Sequence, residues 1–275
     1  MSYDPVAYWQ ERYREANLHS SGHRDLPEKY NLWLYKRKRQ VLRRALRDVG
    51  CPIAGARVLE VGVGTGAYVE FFRAAGAARF VGTDIVPHAV SLLRQRYSGA
   101  EFIERDVTEP GLREVVGEFD LVAALDVFYH VVDDRKLVSA LGNVAEVLAP
   151  NGLLAIHDVF LHRSSEDHGY IRWRSLQDWE CLLASANLVV VDRRPIYFTM
   201  VQADDTTSRF ETALLQALWR LAEPFRRRLP GVAGAAAFAL DNIAGLARRE
   251  GPSNVVEGEG DRKSTRLNSS HANIS

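Results

Sequence analysis

Two kinds of residue in this sequence could do chemistry. One is a set of closely spaced glycines, and the other is a series of acids and histidines at the ends of apolar runs. Gly62, Gly64 and Gly66 occupy alternate positions directly after the run Val58-Leu59-Glu60-Val61. Glycines at such a turn let backbone approach a ligand closely, and the start of a following helix offers unpaired N–H groups to a polar or anionic group. That chemistry fits a nucleotide-type cofactor. Asp84 closes Phe80-Val81-Gly82-Thr83, where a carboxylate can accept both hydroxyls of a ribose, and Asp106 closes Phe102-Ile103-Glu104-Arg105. Asp126 and His130 follow Phe119–Leu125, and His157 and Asp158 follow Leu153-Leu154-Ala155-Ile156. An unperturbed imidazole titrates near pH 6.5 and can take a proton from an acceptor hydroxyl, so His130 is the first candidate base and His157 with Asp158 the second.

The elements that must position these residues alternate in kind. Strands are expected at Val58–Val61, Arg79–Thr83, Glu101–Glu104, Phe119–Leu125 and Gly152–His157. Helices are expected near Ala67–Ala75, Ala89–Tyr97, Leu112–Val116, Lys136–Leu148 and Ser175–Ala186. Such alternation predicts an α/β fold, a doubly wound and mostly parallel sheet, with every candidate acid at the carboxyl edge where ligands bind. Gly62-x-Gly64-x-x-Ala67 also satisfies the looser dinucleotide fingerprint, and an acid at Asp84 suits that reading too, so a nicotinamide-dependent oxidoreductase stays open.

Glu60 two residues before Gly62, with Gly66, makes the pattern ExGxGxG. Together with Phe119-Asp120-Leu121-Val122, Asp126-Val127-Phe128-Tyr129-His130-Val131 and Leu148-Ala149-Pro150-Asn151-Gly152, it resembles the class I, Rossmann-like S-adenosylmethionine methyltransferases of the small-molecule branch. Asn151 stands where a Gly is usual, and Asn tolerates the positive φ of that turn. The resemblance covers Arg57 to Phe160 and implies S-adenosylmethionine as cofactor, with S-adenosylhomocysteine as product. It implies a cofactor site of Glu60, Gly62, Gly64, Gly66, Asp84, Ile85, Asp106, Val107 and Asp126, in which Asp84 takes the ribose, Asp106 and the Val107 N–H take the adenine, and Asp126 lies beside the amino-acid end. It puts His130 toward the methyl group and acceptor. A structural alternative for Asp106 is a helix N-cap. The implied activity is in-line methyl transfer to an O, N or C nucleophile of a small metabolite. RNA or protein acceptors and a non-catalytic S-adenosylmethionine-binding protein remain as alternatives. No metal is expected, because the residues do not match the metal-dependent catechol-type pattern.

Aromatic residues crowd the region before the first core strand, among them Tyr8, Trp9, Tyr13 and Tyr30, and can cover the cleft or stack on an acceptor. His162 and Arg172 lie in a loop rich in Arg and His after the fifth strand, which suits an anionic acceptor. Lys36-Arg37-Lys38-Arg39 is expected to be a solvated helix face. The expected organisation is a helical cover over 1–50, the cofactor-binding core over 51–202, a helical insertion and last strand over 203–257, and a patternless, disordered and non-native tail over 258–275. Within the insertion, two helices over Ser208–Ala222 and Val232–Arg249 are expected, separated by Pro224 and Pro230. The first should bury Phe210, Leu214, Leu215, Leu218 and Leu221.

Bulk composition limits the remaining choices. Among 275 residues, 47% are hydrophobic and 25% charged, enough for a sizeable core. Lys plus Arg and Asp plus Glu both total 35, so the total charge argues for neither nucleic acid nor an anionic membrane as a partner. The two cysteines, Cys51 and Cys181, are far apart and suggest neither a disulfide framework nor zinc. With no long apolar run and no leader-like start, a cytoplasmic protein without a membrane span is expected, as a monomer or homodimer.

Overall fold

The computed structural model describes residues 3–14, 22–161, 166–167, 169–202, 209–247, 255–259 and 264–269. β1 (Arg57–Val61), β2 (Arg79–Asp84), β3 (Glu101–Glu104), β4 (Phe119–Leu125) and β5 (Leu148–Asp158) form the parallel part of one sheet, in the order β5-β4-β1-β2-β3. Every ladder among them is parallel, with Val58 facing Phe80 on one side and Leu121 on the other. The chain therefore winds outward from β1 to β3, crosses back, and winds the other way from β4. The crevice at that reversal is where a doubly wound sheet binds ligands.

Both faces of the sheet are covered, which is why its central strands, β4 above all, read as largely apolar runs. Side chains alternate between the faces. Phe119, Val122 and Ala124 join the core under α6 (Asp134–Val147) and α7 (Leu176–Ser185), while Leu121, Ala123 and Leu125 join the core on the opposite face. That second core holds Phe72 of α3 (Val69–Ala74), Val90 of α4 (Pro87–Arg96), and Leu42 and Leu46 of α2 (Glu28–Asp48). α5 (Leu112–Val116) lies between β3 and β4 in the chain, and α1 (Pro5–Arg12) precedes α2. Asp133 caps α6 through Arg135 N and Lys136 N, and Ser175 and Asp178 form a reciprocal capping box on α7.

Several expectations change at the flanks. The insertion holds three helices, α8 (Arg209–Leu221), α9 (Glu223–Arg228) and α10 (Pro230–Ala247). Pro224 and Pro230 lie in the first two positions of α9 and α10, where a missing N–H costs nothing, so they start helices rather than only separate them. α8 does not bury its stripe: Leu215 is half-buried, but Phe210, Leu214, Leu218 and Leu221 are exposed. The basic run is largely engaged. Arg37 is buried, donating to Ile196 O at 2.7 Å and Asn242 Oδ1 at 3.0 Å, and Arg39 donates to Ala67 O at 3.2 Å.

β9 (Val189–Pro195), β10 (Val255–Glu259) and β11 (Ser264–Ser269) extend the sheet in the order β10-β9-β11-β5. β10 runs antiparallel to both partners, whereas β11 runs parallel to β5. β11 lies in the stretch expected to be disordered. Ladder bonds are made by main-chain groups, so a polar strand without proline can fill the place between β5 and β9 without an apolar pattern to announce it. The short β6 (Phe160–Leu161), β7 (Glu166–Asp167) and β8 (Arg172–Ser175) form a separate small sheet beyond β5.

Candidate functional site

A cavity of about 310 Å³ opens at the carboxyl edge of β1, β2 and β4. Its floor is the glycine turn. Gly62 (φ +67°) and Gly64 (φ +53°) are left-handed, and a Cβ at Gly62 would stand 2.5 Å from Val127 Cγ2. Only glycine lets the backbone pass here without strain. Gly66 (φ +82°) does not border the cavity; it turns the chain against Leu93 of α4.

Asp84 anchors the turn. Its Oδ2 accepts from Gly64 N at 2.8 Å and its Oδ1 from Val86 N at 2.9 Å. Burial raises its carboxyl to about 6, against the opposing pull of these backbone N–H groups. Beside it, burial and the charge of Asp84 push Glu60 well above the usual carboxylate range. Glu60 Oε2 is buried with no hydrogen-bond partner among the described residues, although Glu60 borders the cavity. A buried acceptor of this kind calls for a donor from the cavity.

Ile85, Asp106 and Val107 form the adjoining wall. Asp106 Oδ1 accepts from Thr108 N at 2.8 Å, closing a turn, and α5 begins only at Leu112 after Gly111, so Asp106 caps no helix. Asp126 sits at φ +65°, left-handed just past the end of β4. Lys38 Nζ donates to its Oδ2 at 2.6 Å and His157 Nδ1 contacts its Oδ1. Burial alone would raise the Asp126 carboxyl, but the charges of His157 and Lys38 outweigh it and hold the group well below the ordinary range.

His130 follows Asp126 on a 3₁₀ turn (Phe128–His130) and borders the cavity. Its Nδ1–H donates to Tyr170 O at 3.1 Å, because a carbonyl can only accept; Nε2 then carries the lone pair. Burial lowers the imidazole to about 4, so it is neutral at neutral pH. Trp9 of α1 meets its ring edge-on at 4.7 Å, and Trp9 and Tyr13 cover the cavity.

The remaining candidates fall elsewhere. Tyr8 stacks on Tyr170 at 4.9 Å, behind the wall. Tyr30 is buried in the α2 packing, its hydroxyl donating to Met200 O at 3.0 Å. Arg172 donates to Val132 O at 3.2 Å and pairs with Asp134 at 2.9 Å, bracing the segment after His130. His157 and Asp158 are buried beneath Asp126 and do not reach the cavity; burial raises the Asp158 carboxyl well above its usual range. His162 lies outside the described residues.

Three residues were not singled out in the sequence. Lys38 was hidden within its basic run. Arg174, buried, donates to Val131 O at 2.8 Å and Asp134 Oδ1 at 2.9 Å, where a loop arginine gives no signal of burial. Tyr129 borders the cavity within the Asp126–His130 motif itself.

The site is a left-handed glycine turn flanked by the acids Asp84 and Asp106, an orphaned buried carboxyl at Glu60 and a neutral histidine. These residues fit a polar nucleoside cofactor such as S-adenosylmethionine, and the orphaned Glu60 Oε2 leaves a place for one of its polar groups. Comparison with known proteins agrees. The model of a family described as a methyltransferase domain matches residues 58–152. Nodulation protein S of Sinorhizobium fredii is 30% identical over 183 residues, 66% of this chain and 80% of that protein. The ubiquinone biosynthesis O-methyltransferase of Ruegeria pomeroyi is 29% identical over 186 residues, 59% of this chain and 73% of that one. The crystal structure of the N-methyltransferase NodS from Bradyrhizobium japonicum WM9 in complex with S-adenosyl-L-homocysteine aligns at a TM-score of 0.39 and 26% identity, over 52% of this chain and 69% of that one. With 80% of nodulation protein S covered at 30% identity, the chain belongs to the class I, Rossmann-like S-adenosylmethionine-dependent methyltransferases.

Proposed function

We propose that the chain methylates an O or N nucleophile of a small molecule held between the glycine turn and the aromatic cover, with His130 as the proton acceptor. The observation that carries this reading is the His130 tautomer: Nδ1 is committed to Tyr170 O, which leaves Nε2 as a lone-pair donor in a ring that burial keeps neutral. Family membership removes the nicotinamide-dependent alternative. Coverage of the cavity by Trp9 of α1 and by Tyr13 favours a small acceptor over RNA or a folded protein.

S-adenosylmethionine supplies, when bound, a methyl group on a cationic sulfur that is already a good leaving group. The chain's residues then mainly orient and exclude water. Asp84 and Asp106 would hold the ribose and the base, Glu60 and the end of β4 the amino-acid portion. Alignment of this kind is worth about 7–11 kcal/mol in well-oriented intramolecular reactions. Proton acceptance by His130 adds about 10²–10⁴-fold when the nucleophile carries a proton.

The test is a methyl-transfer screen of hydroxyl- and amine-bearing metabolites, repeated with His130→Gln. Turnover that falls about 10²-fold or more while S-adenosylhomocysteine still binds supports the reading. Full turnover in the variant assigns the proton to another acceptor.

A further inference from the structure

α8 and α10 pack Trp219, Ala233, Ala237 and Phe238 inward, yet each also carries an apolar stripe on its outward face. On α8, Phe210, Leu214, Leu218 and Leu221 recur at helical spacing on the outward face, and Phe210 is 79% and Leu221 77% exposed. On α10 the charged residue Asp241 points inward, accepting from Phe198 N at 2.9 Å and Thr199 N at 2.7 Å, while Val232, Leu240 and Ile243 face out. A helix at a water interface does the reverse. Exposed apolar stripes this long mark a surface that meets something other than water.

Charge identifies the occupant. Arg220 stands exposed near the end of α8, and Arg227 and Arg228 stand exposed at the end of α9. Among the described side chains of α8 to α10, the exposed carboxylate is Glu223, already paired with Arg227 at 2.7 Å. Among the described side chains, a second copy docking through the same patch would bring no free acid for these guanidinium groups, because a two-fold contact presents the same surface twice. Anionic headgroups beside acyl chains offer both chemistries at once. No helix among the described residues is long and apolar enough to cross a membrane, so the contact is with a surface. We infer that α8 to α10 seat this enzyme on an anionic lipid bilayer. The neutral total charge of the chain conceals this face, because its arginines are balanced by acids elsewhere in the sequence.

The experiment is flotation of the full chain with vesicles of phosphatidylcholine, or of phosphatidylcholine and phosphatidylglycerol in equal parts. The chain should float with the anionic vesicles about tenfold more than with the neutral ones. Leu214→Glu with Leu218→Glu should abolish flotation while retaining S-adenosylhomocysteine binding, which reports an intact core. Should that variant lose the core, Arg220→Glu with Arg228→Glu decides the matter, since it leaves the apolar face untouched and should still lose most binding to anionic vesicles. Three results overturn the inference: no flotation with either vesicle, undiminished flotation of the arginine variant, or a lipid-independent dimer that Leu218→Glu dissociates. Methyl transfer does not enter the readout, so the lipid contact stands or falls separately from the catalytic assignment.

Discussion

Lys38 Nζ lies 2.6 Å from Asp126 Oδ2, and that ion pair ties the N-terminal cover to the end of the fourth strand. Both side chains are largely shielded, at 14% and 17% exposure, so neither charge is fully hydrated without the other. Removing one partner from a buried pair typically costs about 3–5 kcal/mol, and less here, because Asp126 keeps its contact with His157. Lys38→Met should therefore lower stability by a few kcal/mol in urea unfolding. Lys38→Met with Asp126→Asn should recover part of that loss, and a double-mutant cycle gives the coupling directly.

If Asp84 holds the ribose as proposed, its carboxyl should set the pH dependence of cofactor binding. Its folded pKa is raised to about 6, so the group takes up a proton as pH falls through 6 and ceases to be a purely accepting carboxylate. Affinity for S-adenosylhomocysteine should be flat above pH 7 and fall by up to about tenfold per unit below pH 6. Asp84→Asn should bind weakly throughout and without that slope in calorimetric titrations.

His130 titrates in the opposite sense. With its pKa depressed to about 4, the imidazole stays neutral from pH 7 down to about 5. Single-turnover rates at saturating cofactor should thus show no loss of the base across that interval. A rate that halves near pH 6.5 would mean that the ring is not buried during catalysis.

Gly62→Ala tests the turn itself. The substitution puts a Cβ at φ +67° and 2.5 Å from Val127 Cγ2. The left-handed backbone alone costs roughly 1–2 kcal/mol, and Val127 must also move. Thermal stability and S-adenosylhomocysteine affinity should fall together, whereas Gly99→Ala, at an open left-handed position with nothing within 4 Å, should cost stability alone.

The sheet was legible because both of its faces are covered. Glu101–Glu104, Phe119–Leu125 and Leu112–Val116 lie where the apolar runs put them, and the glycine turn with Glu60, Asp84, Asp106 and Asp126 converges on one cavity. Contacts made across the chain were less visible. Nothing local distinguishes Lys38 or Arg37, which reach partners 88 and 159 residues away, from a solvated lysine or arginine. An aromatic near the start of the chain can equally cover a ligand, as Trp9 does, or fill a helix interface, as Tyr30 does. The apolar stripe of α8 is legible in the sequence as a stripe but not as an exposed one, since periodicity tells which residues share a face, not what that face meets.

α1 has no buried residue and rests on the core largely through Tyr8 on Tyr170 and Trp9 on His130. Ring contacts of this kind are worth about 0.5–1.5 kcal/mol each, small beside the cohesion of the sheet. Held this lightly, α1 should lift more readily than the sheet can open, and its opening at Trp9 is the expected exit for spent cofactor. An enzyme roofed in this way turns over no faster than its roof opens, and solvent viscosity becomes a control on its speed.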